Sequence, residues 1–309
     1  MIVSVAIATY NGKNYLSEQL NSILLQTILP DEIVVADDCS SDGTEKLIKK
    51  FIEKTHIPIV YLKGEKQEGY TANFNRALLK TKGDLVFLCD QDDVWFNNKI
   101  EEVIKCAINS KKMLIIHDKI YTDEKLNSYP KSAFQNFEEK GNKLNEFVSG
   151  SVMAVKRELL NICLPIPVSF TGHDNWISYH AQAINTVQVL NMPLMYYRRH
   201  ADATMEKNKN INKYNFIEKV NAHLYYLNSL YLNNITLLRK LKEMEDDVMY
   251  GDIKYFMIKF RENNLYLELR NKMKNMSRYK RIKLAIDLYG KSIYRGFSGK
   301  ITFLVDFLS

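Results

Sequence analysis

Apolar runs of strand length alternate with helical stripes over the first ninety residues, and that rhythm leaves few folds open. Residues 2–8 are apolar and rich in β-branched side chains; 33–36, 57–62 and 85–89 are similar runs. Between them, residues 15–26 carry Leu16, Leu20, Ile23 and Leu24 on one helical stripe. A second helix runs through Leu47, Ile48, Phe51 and Ile52 behind Asp42-Gly43, and 71–79 predicts a third. Strands alternating with helices imply right-handed crossovers and a mainly parallel sheet. Farther on, 113–117, 151–155 and 194–197 predict strands. Residues 95–109 and 174–184 predict helices, the latter entered from the turn Thr171-Gly172-His173.

In such sheets ligands sit at the carboxyl ends of the strands. Those ends are Thr9-Tyr10-Asn11, Asp37-Asp38 and Asp90-Gln91-Asp92-Asp93. The last places three carboxylates within four residues. Carboxylate oxygens bind divalent cations, and the cation binds phosphates that must become a leaving group. The structural alternative for Asp90-Gln91-Asp92 is a solvated turn capping the helix at 95–109, a role equally open to Asp93. Asp174 has a similar alternative, satisfying free amides at a helix N-terminus. Thr9 could be a simple strand-end turn and Tyr10 a packing aromatic.

From about residue 213 the pattern becomes helical: Ile217, Val220, Leu224, Leu227, Tyr231, Ile235, Leu238 and Leu241 recur every three or four residues. Charge divides with the pattern. From Ala201 onward 20 Lys/Arg face 12 Asp/Glu, whereas before it 23 face 24. A boundary near residue 205 therefore separates an α/β domain, 1–205, from a basic helical region, 206–309. Cys39, Cys89, Cys106 and Cys163 lack zinc-knuckle or redox spacing and read as buried free thiols. No run of about 18 apolar residues occurs, and the chain opens directly on a strand, so a cytoplasmic protein is expected.

The motifs also resemble a known family. Ser4 to Gly12, Ser22 to Thr27, Val35 to Thr44 and Phe87 to Trp95 are similar to segments of glycosyltransferase family 2. Gly172-His173-Asp174-Asn175-Trp176 and Tyr196-Tyr197-Arg198-Arg199-His200 resemble later motifs of its rhamnosyltransferase-like branch, in order and over roughly residues 1–200. The resemblance implies a GT-A fold (Rossmann-like, a central sheet flanked by helices). It implies inverting transfer from a nucleoside-diphosphate sugar, UDP- or dTDP-linked, to a glycan or lipid-linked saccharide of a bacterial surface polysaccharide, with Mn²⁺ or Mg²⁺. By position, Thr9, Tyr10 and Asp38 line the nucleoside pocket, Arg76 contacts the nucleotide, and Asp90 faces the ribose or sugar. Asp92 holds the metal with His200 as a further ligand, and Asp174 is the general base. Many family members have Glu-Asp where this chain has His173-Asp174, which leaves the role of His173 open. Arg198 and Arg199 are candidates to neutralise phosphate.

Two other functions compete. A sugar-phosphate nucleotidyltransferase shares a parallel sheet and carboxylate-held Mg²⁺, but would show a Gly-rich, Arg-containing first loop, whereas Thr9-Tyr10-Asn11-Gly12-Lys13 has one Gly and no Arg. A non-catalytic nucleotide-sugar-binding scaffold would not need Asp90, Asp92 and Asp174. No nucleic-acid recognition module is present. The segment 270–283 holds seven basic residues and no acidic one, with Tyr279, Tyr289 and Tyr294 nearby. It fits an anionic membrane surface, which makes the protein peripheral on the inner face, or a packed helical hairpin or homo-oligomer contact. On the membrane reading, replacing Lys280, Arg281 and Lys283 by Gln reduces co-sedimentation with anionic liposomes, most strongly at low salt; equal sedimentation of the two proteins leaves the packing reading.

Overall fold

The computed structural model describes residues 1–166, 168, 172–183 and 185–200, all within one compact unit, Met1–Lys207. The boundary expected near 205, the helical stripes beyond it and the basic segment 270–283 lie outside the described residues.

The chain runs β1 (Val3–Thr9), α1 (Leu16–Leu24), β2 (Glu32–Asp37), α2 (Thr44–Ile52), β3 (Ile59–Lys63), α3 (Tyr70–Lys80), β4 (Leu85–Asp90), β5 (Val94–Trp95), α4 (Lys99–Ile108), β6 (Leu114–Thr122), β7 (Ser128–Ser132), α5 (Ala133–Glu138), β8 (Met153–Lys156), α6 (Arg157–Cys163), α7 (His173–Ala183) and β9 (Val187–Arg198). The strands form one sheet in the order β3-β2-β1-β4-β8-β6-β9-β5, with β7 paired to β6. The first four are mutually parallel. β8 is antiparallel to both β4 and β6, so β6 again runs with β4, and β9 is parallel to β6. The carboxyl ends of β1, β2, β4, β6 and β9 therefore share one edge.

β1 is buried along its whole length because it is paired on both sides and covered on both faces. α1 buries Leu16, Leu20 and Ile23, at the spacing of one helical face. α3 buries Asn73, Phe74, Ala77 and Leu78. The polar member of that face is a tie. Asn73 Nδ2 donates to Thr9 O at 3.1 Å and Ala36 O at 2.8 Å, joining the ends of β1 and β2 from the helix side.

Several expectations are corrected. The helix expected over 95–109 begins at Lys99, after Asn98. Val94 and Trp95 instead pair with Tyr196 and Met195, and the Trp95 amide donates to Ser22 Oγ at 3.1 Å. Pairing and burial override the helical pattern there, and Asp93 is too far from Lys99 to cap it. The final strand has twelve residues rather than four, because β6 offers a partner along its length. Pro193 sits in its register shift, where a missing N–H is tolerated. Of the cysteines, Cys89 and Cys163 are buried, but Cys39 and Cys106 are only half-buried. The short α5 was legible as a Ser132–Gln135 capping box, Ser-x-x-Gln, although periodicity alone misses six residues. Among the described residues no helix is long and apolar enough to cross a membrane.

Asn73→Ala should leave the Thr9 and Ala36 carbonyls without this donor and remove one of the acceptors of Arg76 Nη2. Denaturant unfolding should show a loss of about 1–3 kcal/mol. An unchanged midpoint and slope would show that the tie carries no stability.

Candidate active site

β1 lies between β2 and β4, and the chain crosses over it to place β4 on the far side. The crevice beyond the carboxyl ends of β1 and β4 is thus the topological switch point. Thr9 and Asp90 sit on its two walls. Gln91 stitches these walls together: its Oε1 accepts from Thr9 Oγ1 at 2.6 Å and from the Tyr10 amide at 2.9 Å, and its Nε2 donates to Tyr10 O at 3.1 Å. Gly12 makes room for it, since a Cβ there would lie 2.4 Å from Gln91 Oε1. In sequence Gln91 reads as the spacer between two aspartates; the one signal available was that its amide can donate and accept at once. The Tyr10 side chain remains 42% exposed, open to stacking by a ligand.

At the end of β2 the two aspartates differ. Asp37 accepts from the amide and hydroxyl of Ser40 and, at 2.8 Å, from the Tyr61 hydroxyl. Burial, followed by this contact with Asp37, pushes the Tyr61 hydroxyl well above its usual range. Asp38 is buried and accepts from the Glu68 and Gly69 amides, both at 2.8 Å, which shapes the loop entering α3. Arg76 Nη2 donates to Asp37 O at 2.9 Å and Asn73 Oδ1 at 2.8 Å. The structure thus places Arg76 on strand-end groups, where it braces the wall of the crevice.

The end of β4 gathers charge. Burial, then the neighbouring Asp92, raises the Asp90 carboxyl to about 7; Lys119 opposes the shift and Asp174 adds to it. Burial likewise pushes Asp93 up, and its Oδ1 accepts from the Arg198 amide at 3.2 Å. Lys119, on β6, is buried, with Nζ 2.7 Å from Ser149 Oγ and 3.5 Å from the centre of the Tyr197 ring. Burial lowers it to about 8, against the pull of Asp93, Asp90 and Asp174. Lys99 is also buried, over the Trp95 ring at 3.8 Å and bonded to Ser151 O, and burial lowers it to about 7. Neither lysine was singled out in the sequence, because each sits in a segment whose pattern is otherwise structural.

β9 delivers its end residues to the same edge. His200 Nε2 lies 2.9 Å from Asp92 Oδ2, with its ring against Tyr15 at 4.4 Å. Arg198 is buried and engaged: Nε donates to Asp92 O at 3.0 Å, Nη1 to Glu124 O, and Nη2 pairs with Glu18. It holds the aspartate loop in place and has little left for a phosphate. Among the described residues no group of three His, Cys, Asp or Glu makes a preformed metal cage. A hard cation on a diphosphate uses one or two protein carboxylates, phosphate oxygens and water. Asp92 and His200 suit such a shared shell.

Asp174 lies in the first turn of α7, half-buried, accepting from the Asn175 amide at 2.9 Å. One carboxylate oxygen thus serves the helix end. The charge of Asp174 still acts on Asp90 and Lys119. His173 packs beneath it. Its ring stacks on Phe74 at 3.8 Å, and a Cβ on Gly150 would meet its Nε2 at 2.6 Å. Burial holds its pKa below the usual imidazole value, so it is a neutral wedge that sets the first turn of α7.

Residues 4–162 match the family model described as Glycosyl transferase family 2. An uncharacterized glycosyltransferase of Nostoc sp. is 29% identical over 216 residues, covering 65% of this chain and 65% of its own length. Further bacterial glycosyltransferases match at 31–34% identity over 36–42% of their own length. Among solved structures, Staphylococcus aureus TarS in complex with UDP-GlcNAc superposes with a TM-score of 0.62 at 19% identity, over 85% of this chain and 72% of that one. The mannosyltransferase PcManGT of Pyrobaculum calidifontis, in complex with GDP-Man and Mn²⁺, gives 0.56 at 18% identity, over 98% and 85%. At these identities the likeness shows the fold, which is the GT-A arrangement. The family match spans more than half of the chain and takes in the strand ends and aspartates that wall the crevice: the protein belongs to glycosyl transferase family 2.

Proposed function

We propose that this chain transfers a sugar, with inversion, from a UDP- or dTDP-linked donor to a glycan or lipid-linked saccharide in bacterial surface polysaccharide synthesis. One observation carries the reading: Asp90, Asp92 and His200 gather at the carboxyl ends of β4 and β9 beside a buried lysine, and the charge of Asp174 reaches both Asp90 and that lysine. Tyr10 offers an aromatic face to the nucleoside base, and Asp38 and Thr9 wall the ribose side. Asp90, whose carboxyl burial pushes up, can accept from a sugar hydroxyl when ionised and donate to it when protonated.

Asp92 and His200 would hold Mn²⁺ or Mg²⁺, which supplies positive charge to the diphosphate as it leaves. The other steps belong to the chain. The free oxygen of Asp174 takes the acceptor hydroxyl's proton while the acceptor oxygen bonds to the anomeric carbon. The bond from that carbon to the diphosphate oxygen breaks, and its electron pair leaves with the nucleoside diphosphate. Attack opposite the leaving group inverts the anomeric centre. Lys119 offsets the negative charge of the clustered carboxylates. The basic region 206–309 would hold the enzyme against an anionic membrane carrying the acceptor.

Two measurements test the reading. Asp92→Asn, or excess EDTA with the parent, should nearly abolish release of nucleoside diphosphate from a panel of UDP- and dTDP-sugars. Full activity in EDTA removes the metal role, and release of pyrophosphate from UTP or dTTP with a sugar 1-phosphate, without nucleoside diphosphate release from the nucleotide sugars, instead identifies a nucleotidyltransferase.

Asp174→Asn keeps the shape and an oxygen for the Asn175 amide but cannot take a proton. Turnover should fall by about 10² to 10⁴ while the donor's dissociation constant holds. The parent's product, followed by NMR, should have the anomeric configuration opposite to the donor's. Near-normal turnover in a folded Asp174→Asn protein, or a retained configuration, would overturn the base or the mechanism.

A further inference from the structure

Side chains on β6 and β9 continue past the carboxylates in one direction. Tyr121 pairs with Tyr197 in register, and alternate residues of a strand share a face. Lys119, Tyr121, Tyr197 and Arg199 therefore project from the same side of the sheet, and their contacts run in sequence. The Lys119 ammonium, under the pull of Asp90 and Asp174, sits 3.5 Å from the Tyr197 ring centre. Tyr197 meets Tyr121 edge-on at 5.7 Å. The Arg199 guanidinium lies 4.2 Å from the Tyr121 ring and 5.6 Å from that of Tyr129. The side chains of Arg198 and His200, of opposite parity, turn instead to Asp92 and Glu18.

This row of rings and cations ends in a cleft of about 390 Å³ lined by Tyr121, Tyr129, Lys131, Asn136, Lys140 and Arg199. Among the described residues no carboxylate lines it. Lys131 is paired with Glu139 at 2.7 Å, while Arg199 and Lys140 join no ion pair among the described residues. Tyr129 is 45% exposed, so part of its ring is open to a ligand. An aromatic face against the apolar side of a pyranose, beside a planar guanidinium, suits a sugar that carries an anion. On the proposed function the donor's diphosphate belongs with Asp92 and His200 instead.

We propose that this cleft is a subsite for an anionic saccharide unit of the acceptor, its ring on Tyr129 and its phosphate or carboxylate on Arg199 and Lys140. The subsite lies at the far end of the row from Asp174. It thus receives a unit next to the one being glycosylated, so that recognition and proton removal fall on different residues. The inference rests on the transferase reading for the word acceptor but not for the binding itself.

Calorimetric titration of the full chain, with and without saturating UDP, would use glucose 1-phosphate, glucuronic acid, methyl α-glucoside and inorganic phosphate. At least one anionic sugar should bind tenfold or more tightly than both the neutral glucoside and phosphate, and the tighter of the two names the anion. Arg199→Gln, and separately the surface pair Tyr129→Ala with Lys140→Gln, should each weaken that binding at least fivefold, with the UDP dissociation constant unchanged. Equal binding of inorganic phosphate or of the glucoside, unchanged affinity in both variants, or no binding of any probe would overturn the subsite. Failure of the transferase reading would appear elsewhere, as absent UDP binding or absent UDP release from UDP-sugars.

Discussion

Everything at the site hangs from β1, a seven-residue strand buried on both faces and paired in parallel on both sides. A strand held in this way cannot slip by one residue without turning its buried face outward. Its carboxyl end is therefore a fixed point. Asn73 ties it to β2 from one side, and Gln91 ties it to the loop after β4 from the other. The β2 side and the aspartate side of the crevice are thus set relative to each other by the side-chain amides of Asn73 and Gln91 and by Gly12, which makes room for Gln91.

The second constraint is electrostatic. Several carboxylates are drawn into a partly dry crevice, where each opposes ionisation of the next. Asp90 and Asp93 are pushed upward, and the buried Lys119 and Lys99 downward. The buried lysines and carboxylates thus partly compensate one another. Arg198 supports this arrangement through the Asp92 carbonyl rather than through a ligand.

The region after β4 shows how far local pattern reaches. Periodicity located β1 to β4 and the helices between them, because each buries one clear face and is punctuated by turn residues. It erred at Trp95, whose surroundings favour a two-residue strand against β9, and it shortened β9 to a third of its length. Both errors concern contacts between residues roughly 70 to 100 positions apart, which no window of eleven to eighteen residues contains. The same limit hid Gln91, Lys119 and Lys99, whose importance depends on what they face. It also made Arg198 look available for phosphate, although its guanidinium is enclosed by Asp92, Glu124 and Glu18.

By itself, the sequence determined the alternating architecture, the shared edge on which polar strand ends gather, and the family to which those motifs belong. These follow from local periodicity, from right-handed crossovers and from the direction in which parallel strands point. Tertiary structure alone decided which polar groups are free to meet a ligand. It turned Asp37 and Arg76 into braces, brought His200 to Asp92, made His173 a wedge on Phe74, and ran the Lys119, Tyr197, Tyr121 and Arg199 side chains into a cleft. Burial and pairing partners set a side chain's charge and freedom, and both come from distant parts of the chain meeting at one edge of the sheet.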